Sequence, residues 1–185
     1  MNWITKFIKP KIKSLFKKQG SDNKKALWTT CNCKKLIYND ELLNNLSVCP
    51  SCGFHHKLTS DERFKIFFDN MEFQILKTPE PDDDPLKFPK YSAKLKQARE
   101  KTNQNDSILI AEGKLDGLRV TAGAQNFNFI GGAVGAASGE AFIHGVQNAI
   151  TNQTPFIFFS CSGGQKMQEG AIALMQMTRT VLAVN

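Results

Sequence analysis

"TPFIFFSCSGGQKMQEGAIALMQMTRTVLAVN", residues 154–185, decides the fold class. Phe156 to Ser160 is an apolar run bounded by Pro155 and the pair Gly163-Gly164, the pattern of a short buried strand ending in a tight turn. After the turn, Ala171, Leu174, Met175, Thr178, Val181 and Leu182 recur at helical spacing and predict a long helix with one continuous apolar stripe. The same order occurs one unit earlier. "NFNFIGGAVGAASGEAFIHGVQNAITNQ" (126–153) passes from an aromatic strand end through Gly131-Gly132 into a helix. "SILIAEGKLDGLRVTAGAQ" (107–125) reads as two strands turned at Asp116-Gly117, a favoured hairpin dipeptide. Strand, glycine turn and helix in alternation indicate an α/β layered fold.

An all-apolar strand such as "FIFF" expects cover on both faces and neighbours on both edges. Few other candidate strands are available, and the last helix has neither a glycine cap nor a basic last turn. The expectation is therefore an N-terminal piece of a larger domain, or a domain that a partner completes.

Upstream, Thr59 and Glu62 form a capping-box pattern, and Phe64, Phe67, Phe68 and Met71 follow on one helical face. "TPEPDDDPLKFPK" (78–90), with four prolines, is a connector whose aspartates read as a solvated acidic loop. "YSAKLKQAREKTNQ" (91–104) reads as an exposed helix.

Four cysteines lie in two close pairs, Cys31/Cys33 and Cys49/Cys52, with fifteen residues between Cys33 and Cys49. Two such pairs suit tetrahedral thiolate coordination of zinc, except that the first gap holds one residue in place of two. Free thiols are the alternative, and His55 or His56 is near enough to substitute for a sulfur. Cys161 reads as an ordinary buried thiol. Without an export signal, disulfides are not expected.

Residues 1–30 hold eight lysines and one aspartate, which equals the formal +7 of the whole chain and leaves residues 31–185 neutral. Such a tail can meet an anionic surface or a transcript, or simply be a solvated leader. No apolar run is long enough to span a bilayer as a helix, so an integral membrane protein is not expected.

Each glycine loop opens a predicted helix, where glycine admits a ligand close to the backbone and helix N–H groups face negative charge. Such loops hold a phosphate, a thioester carbonyl or an enolate oxygen. Neither has the phosphate-loop G-K-[ST] nor the G-x-S-x-G frame. No nucleophile–base pair is evident, and His144 reads as a packed or partly exposed helix residue. Catalytic side chains are left unassigned, and chemistry here rests on backbone electrostatics.

Taken in order, "LWTTCNC", "LSVCPSCGFHHKLT", "DDPLKF", "FNFIGGAVGAASGEAF", "PFIFFSCSGGQKMQEG" and "ALMQMTRT" closely resemble the β-subunit family of bacterial acetyl-CoA carboxylase carboxyltransferases. After the basic tail (1–30), which lies outside the strong match, the resemblance implies a zinc ribbon (31–57) and, beyond the helical and linker region (58–106), the first part of a crotonase-like α/β spiral domain (107–185). It implies one structural zinc on Cys31, Cys33, Cys49 and Cys52, and an acyl-CoA site shaped by Gly131, Gly132, Ser162, Gly163 and Gly164. It further implies carboxyl transfer from biotin, held on a carrier protein, to acetyl-CoA. The implied setting is a cytoplasmic complex, two α and two β subunits working with biotin carboxylase. Where similar proteins have "GGARMQE", this chain has Gln165 and Lys166, and Lys166 is expected to keep a positive charge near the CoA region. A zinc-ribbon module binding nucleic acid through the basic tail is the alternative function.

Overall fold

The computed structural model describes residues 27–185, which divide into two compact units after Phe54. Residues 1–26, with nearly all of the basic tail and its expected binding role, lie outside the described part.

In the first unit, β1 (Trp28–Thr30) pairs antiparallel with β2 (Leu36–Tyr38), and a short helix α1 (Asn39–Asn44) follows. Its core is small: Cys31, Ile37, Leu42 and Cys49.

The second unit is an α/β layer structure around a four-stranded sheet ordered β3-β4-β5-β6. β3 (Phe73–Ile75), β4 (Ile108–Leu115) and β5 (Leu118–Gln125) are antiparallel, while β6 (Phe156–Phe159) joins β5 in parallel. Side chains alternate between faces as the pleat requires. Ala111, Val120, Ala122 and Ala124, with Ile157 and Phe159, meet Phe64 and Phe68 on one face. Ile108 and Ile110, with Phe156 and Phe158, meet Ala141 on the other. Phe64 belongs to α2 (Ser60–Phe67) and Ala141 to α4 (Ala136–Asn152), so each face has one helix. α4 comes close because Gly145 faces Ile110 and Phe156, where a Cβ would sit 2.9 Å from both side chains.

The Asp116-Gly117 hairpin is present, both residues at positive φ (52° and 79°) as its tight turn demands. Both turn N–H groups donate to the Asp69 carboxylate, at 2.9 and 2.8 Å. The Thr59/Glu62 capping box is also complete. The face it begins is shorter than expected. α2 stops at Phe67; Phe68 turns inward from extended backbone, and Met71 ends exposed in a 3-10 turn.

Other expectations are corrected. α3 (Tyr91–Thr102) is not an exposed helix: Tyr91, Leu95 and Ala98 are buried with Phe129. The acidic connector is exposed but tied down, since Arg99 donates to both oxygens of Asp83 and the Phe88 N–H donates to Asp84. β6 is half-buried and, among the described residues, forms an edge of the sheet. The stripe of α5 (Ala171–Val184) points outward. Leu174, Val181 and Leu182 are 62%, 57% and 69% exposed, while Ala173 and Gln176 are buried against α4. The reason is the small surface of α4 there: at Gly139 only a slim, extended partner fits, and the Gln176 amide occupies the place a Cβ would take.

Candidate functional site

The five glycine-loop residues singled out in the sequence come together. The first loop follows β5 through a 3-10 turn (Ile130–Gly132) in which Gly131 and Gly132 have φ of 67° and 65°. The second leaves β6 at Ser160 and runs through Ser162, Gly163 and Gly164. The Gly163 N–H donates to the Gly131 carbonyl at 2.9 Å. Further along both loops, Val134 and Gln165 form a parallel bridge, with Val134 N–H to Gly164 O and Lys166 N–H to Val134 O, both 2.9 Å. At the crossing the backbones touch: a Cβ on Gly132 would lie 2.1 Å from the Cys161 carbonyl oxygen. The outer sides are open, since nothing lies within 4 Å of a Cβ placed on Gly131 or Gly164.

A cavity of about 400 Å³ adjoins the loops, walled by Phe142, Phe158, Val134 and Val181 with Gln125, Ser162 and Gln165 at its polar side. Cys161 corrects its expectation, being exposed. His144 lies half-buried in α4, as read from the sequence.

Not all helix N–H groups are offered to a ligand, contrary to expectation. At the start of α4, Gly135 N–H donates to Ser138 Oγ and Ala136 N–H donates to Glu169 at 2.6 Å. Glu169 thus supplies the anion that the helix terminus favours. Its other oxygen accepts from the Tyr91 hydroxyl at 2.6 Å. Burial, then the Glu169 carboxylate, push the Tyr91 hydroxyl far above its ordinary value, so it stays a donor.

Lys166 is the largest departure from the sequence reading. It does not present a charge to a ligand: it is 1% exposed, its ammonium bonded to Asp106 and 3.5 Å from Glu169. Asp106 also accepts from the Ser107 N–H (2.7 Å) and the Ser138 hydroxyl (2.5 Å). Asp106, Lys166, Glu169, Tyr91 and Ser138 therefore form one buried polar knot behind both loops. Sequence reasoning missed it because its members are scattered from residue 91 to 169.

In the first unit the four Sγ atoms lie within 4.8 Å of one another, Cys31–Cys52 at 3.6 Å and Cys33–Cys49 at 3.9 Å. Zinc–thiolate bonds of about 2.3 Å in a tetrahedron place sulfurs about 3.8 Å apart. The set fits one structural zinc ion, with no histidine required. The short first pair has a local solution. The full knuckle closes with Gly53 N–H to Cys49 O, four residues on, at φ 70° for Gly53; the short one closes with Lys34 N–H to Cys31 O, three residues on, at φ 66° for Lys34. Burial opposes ionisation of Cys49, but N–H groups of Ser51 and Cys52 outweigh it and bring the thiol down to about 7. On Cys52 the Phe54 N–H acts in the same sense, yet crowding by Cys49 and burial leave it raised to about 12.

Comparison with known proteins gives the same two-part division. The family described as Acetyl-CoA carboxylase zinc finger domain matches residues 28–52. The acetyl-coenzyme A carboxylase carboxyl transferase subunit beta of Pelagibacter ubique (strain HTCC1062) is 43% identical over all of this chain and 62% of its own length. That of Jannaschia sp. (strain CCS1) is 40% identical over all of this chain and 58% of its own. The chain thus spans about three fifths of these curated relatives. Among solved structures, transcarboxylase 12S with methylmalonyl-coenzyme A and methylmalonic acid bound aligns with 69% of this chain and 23% of its own, at TM-score 0.57 and 24% identity. A Pseudomonas malonate decarboxylase hetero-tetramer in complex with malonate aligns with 69% of this chain and 45% of its own, at TM-score 0.51 and 20% identity. Both bear on the fold. The family described as Carboxyl transferase domain matches residues 83–183, over half of the sequence and the whole of the glycine-loop region, so the chain belongs to the carboxyl transferase domain family.

Proposed function

We propose that this chain contributes the β-type part of a carboxyltransferase that moves a carboxyl group from carboxybiotin on a carrier protein to acetyl-CoA, giving malonyl-CoA. In that reaction the biotin N–C bond breaks, a C–C bond forms at the acetyl α-carbon, and the α-proton passes to the biotin nitrogen. Negative charge develops on the thioester oxygen, so the step needs hydrogen-bond donors more than a nucleophile. The observation that carries the reading is the pair of interlocked glycine loops beside an open, largely apolar cavity. Gly131, Gly132, Ser162, Gly163 and Gly164 shape the acyl-CoA side of this site. Lys166, Asp106 and Glu169 hold it from behind without touching substrate.

The natural setting of this reaction is a cytoplasmic assembly with a carboxyltransferase α subunit in a two-plus-two complex, served by biotin carboxylase and the biotin carrier. Among the described residues no helix is long and apolar enough to cross a membrane. Nucleic-acid binding gains no support from them, because the basic tail lies outside.

The test is malonyl-CoA-dependent carboxylation of free biotin by the zinc-loaded chain mixed with an α subunit from the same source, beside titration of the chain with acetyl-CoA. Turnover above the α subunit alone, or saturable acetyl-CoA binding that Gly131→Val abolishes, is expected. The absence of both turnover and binding would refute the reading.

A further inference from the structure

We propose that Gln125 is a positioning residue that sets the separation of the two glycine loops, an inference that rests on those loops being the acyl-CoA site. Gln125 is the last residue of β5 and only 6% exposed. Its side-chain amide faces both loops at once. Nε2 donates to the Gly132 carbonyl at 2.6 Å, and Oε1 accepts from the Cys161 N–H at 3.1 Å. These two residues lie where the loops cross, so close that a Cβ on Gly132 would meet the Cys161 carbonyl oxygen. The loops are also tied by the Gly163 N–H to Gly131 bond and, further along, by the Val134–Gln165 bridge. Ser162 and Gly163 are held between the Gln125 contacts and that bridge.

A primary amide suits this place because one planar group carries a donor and an acceptor side by side. Both partners are backbone groups, and an apolar replacement leaves the Cys161 N–H and the carbonyl of buried Gly132 without these partners. A carboxylate keeps the acceptor for Cys161 but sets an oxygen against the Gly132 carbonyl. A protonated carboxyl again has one donor and one acceptor, so acid conditions convert Gln125→Glu back into a working clamp. Burial favours that neutral form.

The experiment compares the zinc-loaded, ¹⁵N-labelled full chain with Gln125→Glu and Gln125→Met. It reads protection factors for amide exchange of Gly163 N–H, the donor to Gly131, against the β4–β5 ladder. At pH 7.5 both variants are expected to lose about tenfold protection at Gly163, with the ladder unchanged. At pH 5.5 Gln125→Glu recovers and Gln125→Met does not. In the assembled carboxyltransferase, kcat falls about tenfold with KM for malonyl-CoA within twofold, and acid restores only the glutamate variant. Wild-type protection at Gly163 in both variants overturns the proposal. So does loss shared equally by the ladder, which marks Gln125 as a general core residue. A wild-type assembly with neither turnover nor acetyl-CoA binding refutes the function proposed above, and the exchange result still decides the clamp.

Discussion

Replacing Lys166 by methionine tests the polar knot most directly. The substitution keeps the length and volume of the side chain but removes the cation that Asp106 and Glu169 share at a site 1% exposed. Removing one partner of a buried ion pair costs about 3–5 kcal/mol, because the remaining charge is left uncompensated. Here the cost falls at the lower end of that range. Asp106 keeps the Ser107 N–H and the Ser138 hydroxyl, and Glu169 keeps Tyr91 and the Ala136 N–H. With a urea slope of about 1–3 kcal/mol/M, a loss of about 3 kcal/mol moves the unfolding midpoint down by roughly 1.5 M. Both tryptophans, Trp3 and Trp28, precede the second unit, so far-UV circular dichroism is the appropriate signal, not fluorescence. Adding Glu169→Gln to Lys166→Met is expected to recover part of the loss, which a double-mutant cycle isolates. A Lys166→Met midpoint within 0.3 M of wild type, or strict additivity in the cycle, would refute the argument.

Three further outcomes follow from the geometry. Lys34→Gly relieves a left-handed residue in the shortened knuckle (φ 66°) and is expected to stabilise zinc-loaded protein by about 1 kcal/mol, read as slower zinc loss to a chelator; faster loss would contradict the strain assignment. Gly132→Ala forces a methyl against the Cys161 carbonyl at positive φ, so the loops must separate, and a loss of at least about 2 kcal/mol in the urea midpoint is expected. The Asp69 carboxyl is lowered from 3.8 first by the Gly117 N–H, then by the Asp116 N–H. The sign follows: its contribution is present above the unfolded value and is lost as pH falls through the lower folded one. The Asp116 and Gly117 amide shifts should therefore titrate with a midpoint below 3.8, and a midpoint above 3.8 would show that the turn bonds are absent in solution.

Local chemistry was legible in the sequence and facing was not. Asp116-Gly117 and the Thr59/Glu62 box are short-range signals whose hydrogen bonds close within a few residues, and both stand in the structure. The strand–glycine–helix order likewise placed both loops. Periodicity marked α5 as a helix, but its buried side depends on the shape of α4. Gly139 leaves a slot that Gln176 fills, and the apolar stripe turns outward. Lys166 read as a ligand-facing cation because its partner Asp106 stands sixty residues earlier in the chain. Gln125, at the end of an apolar strand, carries no motif at all. Its role exists only where two loops cross.

The open edge of β6 bears on how this polypeptide behaves while it is being made. Phe156 to Phe159 is an uncharged, largely aromatic run and, among the described residues, an edge of the sheet. Such an edge templates pairing with any extended strand it meets, including a copy of itself. Slow, cool expression is expected to favour folded protein over inclusion bodies, and a charged residue at Phe158 would trade part of the core for freedom from self-association.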